Sequence, residues 1–265
     1  MALRSANVTV MIQAVHKAAR PLVRDFGEVE NLQVSIKGPG DFVSAADRRA
    51  EQTLRRELAR ARPRFGFLLE ETGVVSGEDR DHRWIVDPLD GTTNFLHGLP
   101  HFAISVALER RGELVAGVIY DPIKDELFCA EKGAGAYLND RRLRVSGRSD
   151  LATCLIGTGI PVLDWPGREQ GFVAQLERLS DEVAGIRRLG TASLDLAYVA
   201  AGRLDGFWEF GLKPWDVAAG IVLVREAGGL VQRLDGESNL LAGGTLVASN
   251  AVIHPRLVQL LRVNQ

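Results

Sequence analysis

The sequence predicts a mixed α/β protein built as two halves. Three observations carry the prediction. Apolar residues recur at helical spacing near the N-terminus, short β-rich runs follow one another through the middle, and strands alternate with helices towards the C-terminus. The chain has 265 residues, 46% apolar and 25% charged, enough for a substantial core.

From Val8 to Phe26 the apolar positions follow a helix, with Pro21 inside the pattern as a kink or restart point. IKGPGDFVS then reads as a glycine-bearing loop. Ser44-Ala-Ala-Asp47 has the form of a capping box, opening a helix to about Ala61, ahead of Pro63. The runs FGFLLEE, RWIVD, HFAISVALE, ELVAGVIYD and DELFCAEKG read as antiparallel strands of one sheet. LATCLIGTG gives another strand, followed by helices at about 166–180 and Ala192–Ala201. Next come strand RLDGFWEF, helix Trp215–Ala227 ended by Gly228-Gly229, strands GLVQRL and TLVAS, and a terminal helix. No low-complexity linker and no internal repeat separates residues 1–145 from residues 146–265, so the two halves should share one body.

Net charge is −2, which favours neither nucleic acid nor an anionic membrane as a partner. Arginine doublets recur, at Arg48-Arg49 and Arg55-Arg56 among others. Acidic residues are interspersed through most of the chain, so solvated faces are the preferred reading over a nucleic-acid patch. Cys129 and Cys154 lie in apolar runs and read as small buried hydrophobes. No signal peptide and no bilayer-length apolar run is visible, and the expected location is cytoplasmic.

The chemistry lies in acids set among apolar or glycine-rich surroundings: Glu70 and Glu71, Asp87 and Asp90 in RWIVDPLDGTTNF, and Asp216 in KPWDVAAG. A buried carboxylate needs a partner. Hard oxygen donors without histidine or cysteine select Mg²⁺, Mn²⁺ or Ca²⁺ over zinc, and a divalent cation keeps crowded carboxylates ionised. Pro88 has no N–H, so the chain should leave the sheet there. Gly91-Thr92-Thr93 would then present free amides that suit phosphate oxygens. Singly, each acid has a plainer account: Asp90 as a turn residue, Asp216 as a first-turn aspartate, Asp47 as a capping acid. His97 and His101 read as structural, and no G-x-S-x-G elbow marks a serine hydrolase.

WIVDPLDGTTNF closely resembles the first signature of the inositol monophosphatase family, W-[IV]-[IV]-D-P-[IL]-D-G-T-x-N-[FY]. WDVAAGIVLVREAGG resembles the second, W-D-x-A-A-G…E-A-G-G. GDFVSAAD, PHFAISVAL, GVIYDP…ELFCAEKGAGAYLN and GTASLDLAYVAAGRLDGFWE extend the resemblance over about Val34 to Asn250.

The resemblance implies a layered αβαβα sandwich of the sugar-phosphatase type, with the site between an N-terminal half carrying Glu70, Asp87 and Asp90 and a C-terminal half carrying Glu209 and Asp216. It implies two to three Mg²⁺ ions: one on Glu70, Asp87 and the Leu89 carbonyl, a second on Asp87, Asp90 and Asp216, and a weaker third on Glu70 near Asp47. Thr92 and Glu70 would orient and deprotonate the attacking water, with no phosphoenzyme. The amides of Gly91 and Thr92 would bind phosphate, and Gly190, Thr191, Ala192 and Glu209 the inositol ring.

The implied activity is hydrolysis of myo-inositol 1-phosphate or a related small phosphate monoester by a lithium-sensitive homodimer, with no membrane or direct nucleic-acid partner. Fructose 1,6-bisphosphate, histidinol phosphate and a 3′-phosphoadenosine nucleotide are the alternative substrates. A protein-binding role in an RNA-processing or transcription complex, as in some bacterial relatives, is the alternative of another class. One departure stands out: the family carries glycine before the first glutamate, where this chain has Leu69, so the Glu70 loop is expected to run differently.

Overall fold

The computed structural model describes residues 4–28, 34–38, 41–161 and 168–262. Helix α1, Ala6–Phe26, starts at Ser5, whose side chain accepts the Val8 N–H. It runs unbroken through Pro21, where the sequence alone suggests a kink or restart. The apolar stripe continues on both sides, with Ala18 and Ala19 before the proline and Leu22 after it buried, so packing offsets the lost hydrogen bond.

The described residues of the IKGPGDFVS segment are strand rather than loop: β1, Val34–Gly38, pairs antiparallel with β2, Asp41–Ser44. Helix α2, Ala45–Ala61, follows as expected. The Ser44 side chain of the anticipated capping box lies outside the described residues.

The first sheet has eight strands in the order β10-β9-β8-β7-β6-β5-β3-β4. Its members are β3 (Phe65–Leu69), β4 (Gly73–Val75), β5 (Asp79–Asp90), β6 (Ala103–Arg110), β7 (Glu113–Asp121), β8 (Glu126–Glu131), β9 (Gly135–Leu138) and β10 (Arg141–Arg142). All neighbours are antiparallel except β3 and β5, which corrects the all-antiparallel expectation. The short strand β4 returns the chain to the starting end of β3, so β5 sets off in the same direction as β3. Gly77 makes this crossing possible: a Cβ there would lie 2.4 Å from the amide nitrogen of Gly66.

Strand β5 passes through Pro88 rather than leaving the sheet. Asp87 pairs with Ser105 and Asp90 with Ala103, so three steps on β5 oppose two on β6. This β-bulge decides the geometry of the site. Residues three apart on a regular strand face opposite ways, whereas one extra residue returns Asp87 and Asp90 to the same face. Pro88 is tolerated because a bulge leaves one residue out of the ladder.

The second sheet has five strands in the order β12-β11-β13-β15-β14. They are β11 (Leu155–Thr158), β12 (Gly185–Arg187), β13 (Gly206–Phe210), β14 (Gly229–Arg233) and β15 (Thr245–Asn250). The helices are α3 (Thr92–Leu96), α4 (Arg168–Ser180), α5 (Ala192–Ala200), α6 (Pro214–Glu226) and α7 (His254–Leu261).

Three apolar clusters define the layers. One lies between α1–α2 and the first sheet, with Met11, Leu22, Leu54, Trp84 and Val106. The middle one joins both sheets to α5 and α6, through Ile85, Phe128, Leu196, Val224 and Phe207. The third packs Trp208 and Val247 against α4 and α7. The architecture is therefore αβαβα, as the resemblance implies.

The middle layer is held by close backbone approach. A Cβ at Gly117 of β7 would lie 2.6 Å from the Ala219 carbonyl oxygen of α6, and one at Gly220 would lie 2.5 Å from the Leu196 side chain of α5. Gly117→Ala should push α6 off the sheet and lower stability by ~1–3 kcal/mol, read as a shift in urea midpoint at unchanged slope.

Candidate active site

The bulge is braced locally. Asp87, buried, accepts the Leu89 N–H through Oδ1 at 2.9 Å, a bond that spans Pro88. Gly91 adopts a left-handed conformation (φ 92°), and a Cβ there would lie 2.5 Å from the Thr191 hydroxyl, so only glycine fits between the start of α3 and that of α5. The Asp90 carboxylate accepts the Ser193 N–H at 2.7 Å, capping the first turn of α5. Asp216 reaches back to accept the Lys213 N–H at 2.7 Å, with Pro214 as the first residue of α6. Asp90 and Asp216 are thus each tied to a helix start by a backbone amide, and the Ala192 and Gly91 amides also serve Asp90.

Three carboxylates, Asp47, Glu70 and Glu71, place ligand atoms within 4.8 Å of one another, a group that could hold a metal ion. Glu71 enlarges the expected set. The turn bearing these glutamates is pinned by buried Glu51, which accepts the Glu71 N–H at 2.7 Å and the Thr72 hydroxyl. Leu69 stands where the family pattern has glycine. It is buried in regular strand, paired with Gly73 and Val86, and the positive φ of this turn falls on Gly73 (81°). The Glu70 N–H continues the ladder to the Val86 carbonyl at 3.2 Å.

Burial drives the electrostatics. Desolvation raises Asp87 well above the usual carboxylate range, and the neighbouring charges of Glu70, Asp90, Asp216 and Asp47 raise it further. Asp216 is raised by burial first, then by Asp90, Glu70 and Glu209. Burial lifts Asp90 to about 6 against the hydrogen bonds from the start of α5, and Glu209 to about 8 with Asp195 and Asp90 adding to it. These mutual effects bring Asp47, Glu70, Asp87, Asp90, Glu209 and Asp216 into one site. Oxygen-only donors sharing a desolvated pocket suit a hard divalent cation.

The hydroxyl of Thr92 donates to the Leu89 carbonyl at 2.9 Å and lies 3.4 Å from Asp47. Gly190 (φ 83°) forms the turn before α5. Thr191 gives its hydroxyl to the His101 carbonyl at 3.1 Å, so that side chain is engaged within the fold; Ala192 is buried. Burial lowers His101 to about 4, with nearby Lys124 adding to it, so its ring is neutral. Glu209 on β13 lies against Gly159, where a Cβ would meet its carboxyl at 1.9 Å.

Sequence reading missed Asp195, which is buried with no hydrogen-bond partner for either oxygen. Within GTASLDLA it looks like any polar position of an α5 helix. It also missed Asn94, whose amide bridges the carbonyls of His101 and Leu189 at 2.8 and 2.9 Å and ties α3 to the turn before α5. Only the asparagine of the first signature pointed to that position.

A sequence profile of the inositol monophosphatase family matches residues 4–265. The chain belongs to this family. An inositol-1-monophosphatase from Mesorhizobium japonicum is 60% identical, over 98% of this chain and 97% of that protein. A protein named Nus factor SuhB from Escherichia coli K12 is 41% identical, over 97% and 94%. The crystal structure of extragenic suppressor protein suhB from Bartonella henselae superposes with a TM-score of 0.95 at 57% identity, covering 98% of this chain and all of that one. Family membership accounts for the two signatures and the acidic pocket together. Among the described residues no helix is long and apolar enough to cross a membrane.

The raised carboxyl groups make a pH prediction. A carboxyl whose folded pKa exceeds its unfolded value holds more protons when folded, so stability falls as pH rises from about 4 towards the folded pKa. With Asp90 at about 6 and Glu209 at about 8, protein kept in chelator should melt lower at pH 8.5 than at pH 5.5. Glu209→Gln should flatten the upper part of that slope in calorimetry.

Proposed function

We propose that the chain is a Mg²⁺-dependent phosphomonoesterase that hydrolyses myo-inositol 1-phosphate or a closely related polyol phosphate. The observation that carries this reading is the convergence of buried Asp87 with half-buried, mutually repelling Asp90 and Asp216 about the bulge that ends at Gly91 and Thr92. The relatives named inositol-1-monophosphatase support the substrate class.

Glu70, Asp87 and the Leu89 carbonyl would hold one cation, and Asp87, Asp90 and Asp216 a second. Asp47 and Glu70, with Glu71, offer a third position. Bound there, Mg²⁺ supplies neutralisation of the phosphate dianion, acidification of water and stabilisation of the leaving oxygen.

The chain's own groups do the rest. The amides of Gly91 and Thr92, at the start of α3, hold phosphate oxygens. Thr92, held by the Leu89 carbonyl and facing Asp47, orients the attacking water, and Glu70 takes its proton. Attack is in line, and the released alcohol takes up a proton. Glu209, near neutral pKa and fixed against Gly159, meets the vicinal hydroxyls of the polyol, while the backbone at Gly190–Ala192 borders the same space.

Asp90→Asn should cut phosphate release from inositol 1-phosphate by more than about 100-fold, roughly 2.7 kcal/mol of transition-state stabilisation, at unchanged circular dichroism. Undiminished turnover would remove Asp90 from the reaction. The same assay over a panel including fructose 1,6-bisphosphate, histidinol phosphate and a 3′-phosphoadenosine nucleotide, with and without Mg²⁺, ranks the substrates. Li⁺ should inhibit, and raising Mg²⁺ should change the LiCl midpoint. Insensitivity to LiCl would argue against the second cation position.

A second reading is a protein-binding role in a transcription or RNA-processing complex. Relatives named Nus factor SuhB, 46% identical in Pseudomonas aeruginosa and 41% in Escherichia coli, favour it. Retention of partners by the Asp90→Asn protein in a pull-down separates that role from catalysis.

A further inference from the structure

The arginine doublets that look scattered in the sequence are gathered by the fold onto one layer. Helices α1 and α2 pack side by side, and two ion pairs fix their register. Lys17 of α1 binds Glu57 of α2 at 2.7 Å, and Asp25 of α1 binds Arg49 of α2 at 2.6 Å. The low end of one helix meets the high end of the other, so the two are antiparallel.

On α1, Lys17, Arg20 and Arg24 are exposed at intervals of three and four, one face of a helix. On α2, Arg49, Arg56 and Arg60 are exposed at intervals of seven and four, with Arg48 and Arg55 exposed beside them. Both sets look outward because the opposite faces, with Val15, Leu22, Leu54 and Leu58, are buried against the first sheet.

Among the described residues few acids oppose these eight cations. Glu57 is shared among Lys17, Arg56 and Arg60, and Asp25 between Arg24 and Arg49. Exposed Glu28 is a third, and Glu71 faces Arg48. The remaining acids of α2 are buried and turned to other work: Glu51 holds the Glu71 turn, and Asp47 belongs to the site. A chain of net charge −2 therefore carries a strongly positive layer. Along α2 the stripe runs from Arg60 to Arg48, roughly 18 Å at 1.5 Å per residue. It ends at Arg48, which lies 3.9 Å from Glu71 at the edge of the candidate site.

We propose that the outer face of α1 and α2 is a docking surface for the phosphate backbone of a single-stranded nucleic acid. Two features select this occupant over an acidic protein. Seven of the eight cations are arginines, whose planar forks match phosphate oxygens. Among the described residues of the two helices, Val23 is the one large apolar side chain that is exposed, so the face lacks the apolar and aromatic centre of a protein interface. Absence of exposed aromatics on the face also means contact with the backbone rather than base stacking, hence little sequence preference. The inference rests on neither functional reading above, since none of these side chains is placed in catalysis.

Fluorescence anisotropy of a labelled 20-nucleotide single strand, as RNA and as DNA, measures the interaction with the full-length protein. Arg55→Glu/Arg56→Glu/Arg60→Glu should weaken binding at least about tenfold. It should also lower the slope of log affinity against log salt by about two, since each phosphate contact on a single strand contributes about 0.7. Phosphate release from inositol 1-phosphate by the triple variant should stay at the wild-type level, which reports that the fold is intact. Equal binding by wild type and variant overturns the proposal. So does tighter binding to polyglutamate of matched length or to phosphatidylserine vesicles, which would give the face to an acidic protein or a lipid surface.

Discussion

Like charges do not share a dry pocket without a cation between them, and this constraint organises the centre of the molecule. Asp87 and Asp216 are both pushed upward by burial and by each other's neighbours. The fold spends hydrogen bonds on these carboxyls from helix starts and from the bulge, without neutralising them. One oxygen of Asp87 goes to the Leu89 amide, one of Asp90 to the Ser193 amide and one of Asp216 to the Lys213 amide. Each carboxyl is thereby fixed in direction. That is the arrangement expected where a cation completes the electrostatics.

Much of this was legible in the sequence because the chemistry sits in contiguous words. Asp87, Asp90, Gly91 and Thr92 lie within six residues, and Asp216 sits in the first turn of a helix announced by Pro214. Helices α2, α5 and α6 also stood out, from caps, apolar period and terminal glycines. What escaped was non-local. The parallel pairing of β3 with β5 depends on how Gly77 lets the chain cross, and no periodicity records that. The passage of β5 through Pro88 depends on the partner strand, since a bulge exists only relative to β6. Likewise Asp195 and Glu51 are acids on helices, and only burial against distant segments distinguishes them from solvated ones.

Surface charge shows the same limit. Read along the chain, cations and anions alternate and average out. Folding then assigns the two signs to different depths: acids of α2 such as Asp47 and Glu51 go inward, while Arg48, Arg55 and Arg60 stay in water. Net charge is a property of composition, but a field is a property of the fold.

The contact of Gly117 with Ala219 bears on the width of the pocket. Asp87 stands on the first sheet and Asp216 on α6, and the two elements touch backbone to backbone at that point, with no side chain as a spacer. Side chains can change rotamer to absorb a displacement, whereas apposed main chains have no such freedom. The gap between the two carboxylates is therefore gauged by main chain packed directly on main chain, which holds its calibration as the surrounding side chains fluctuate.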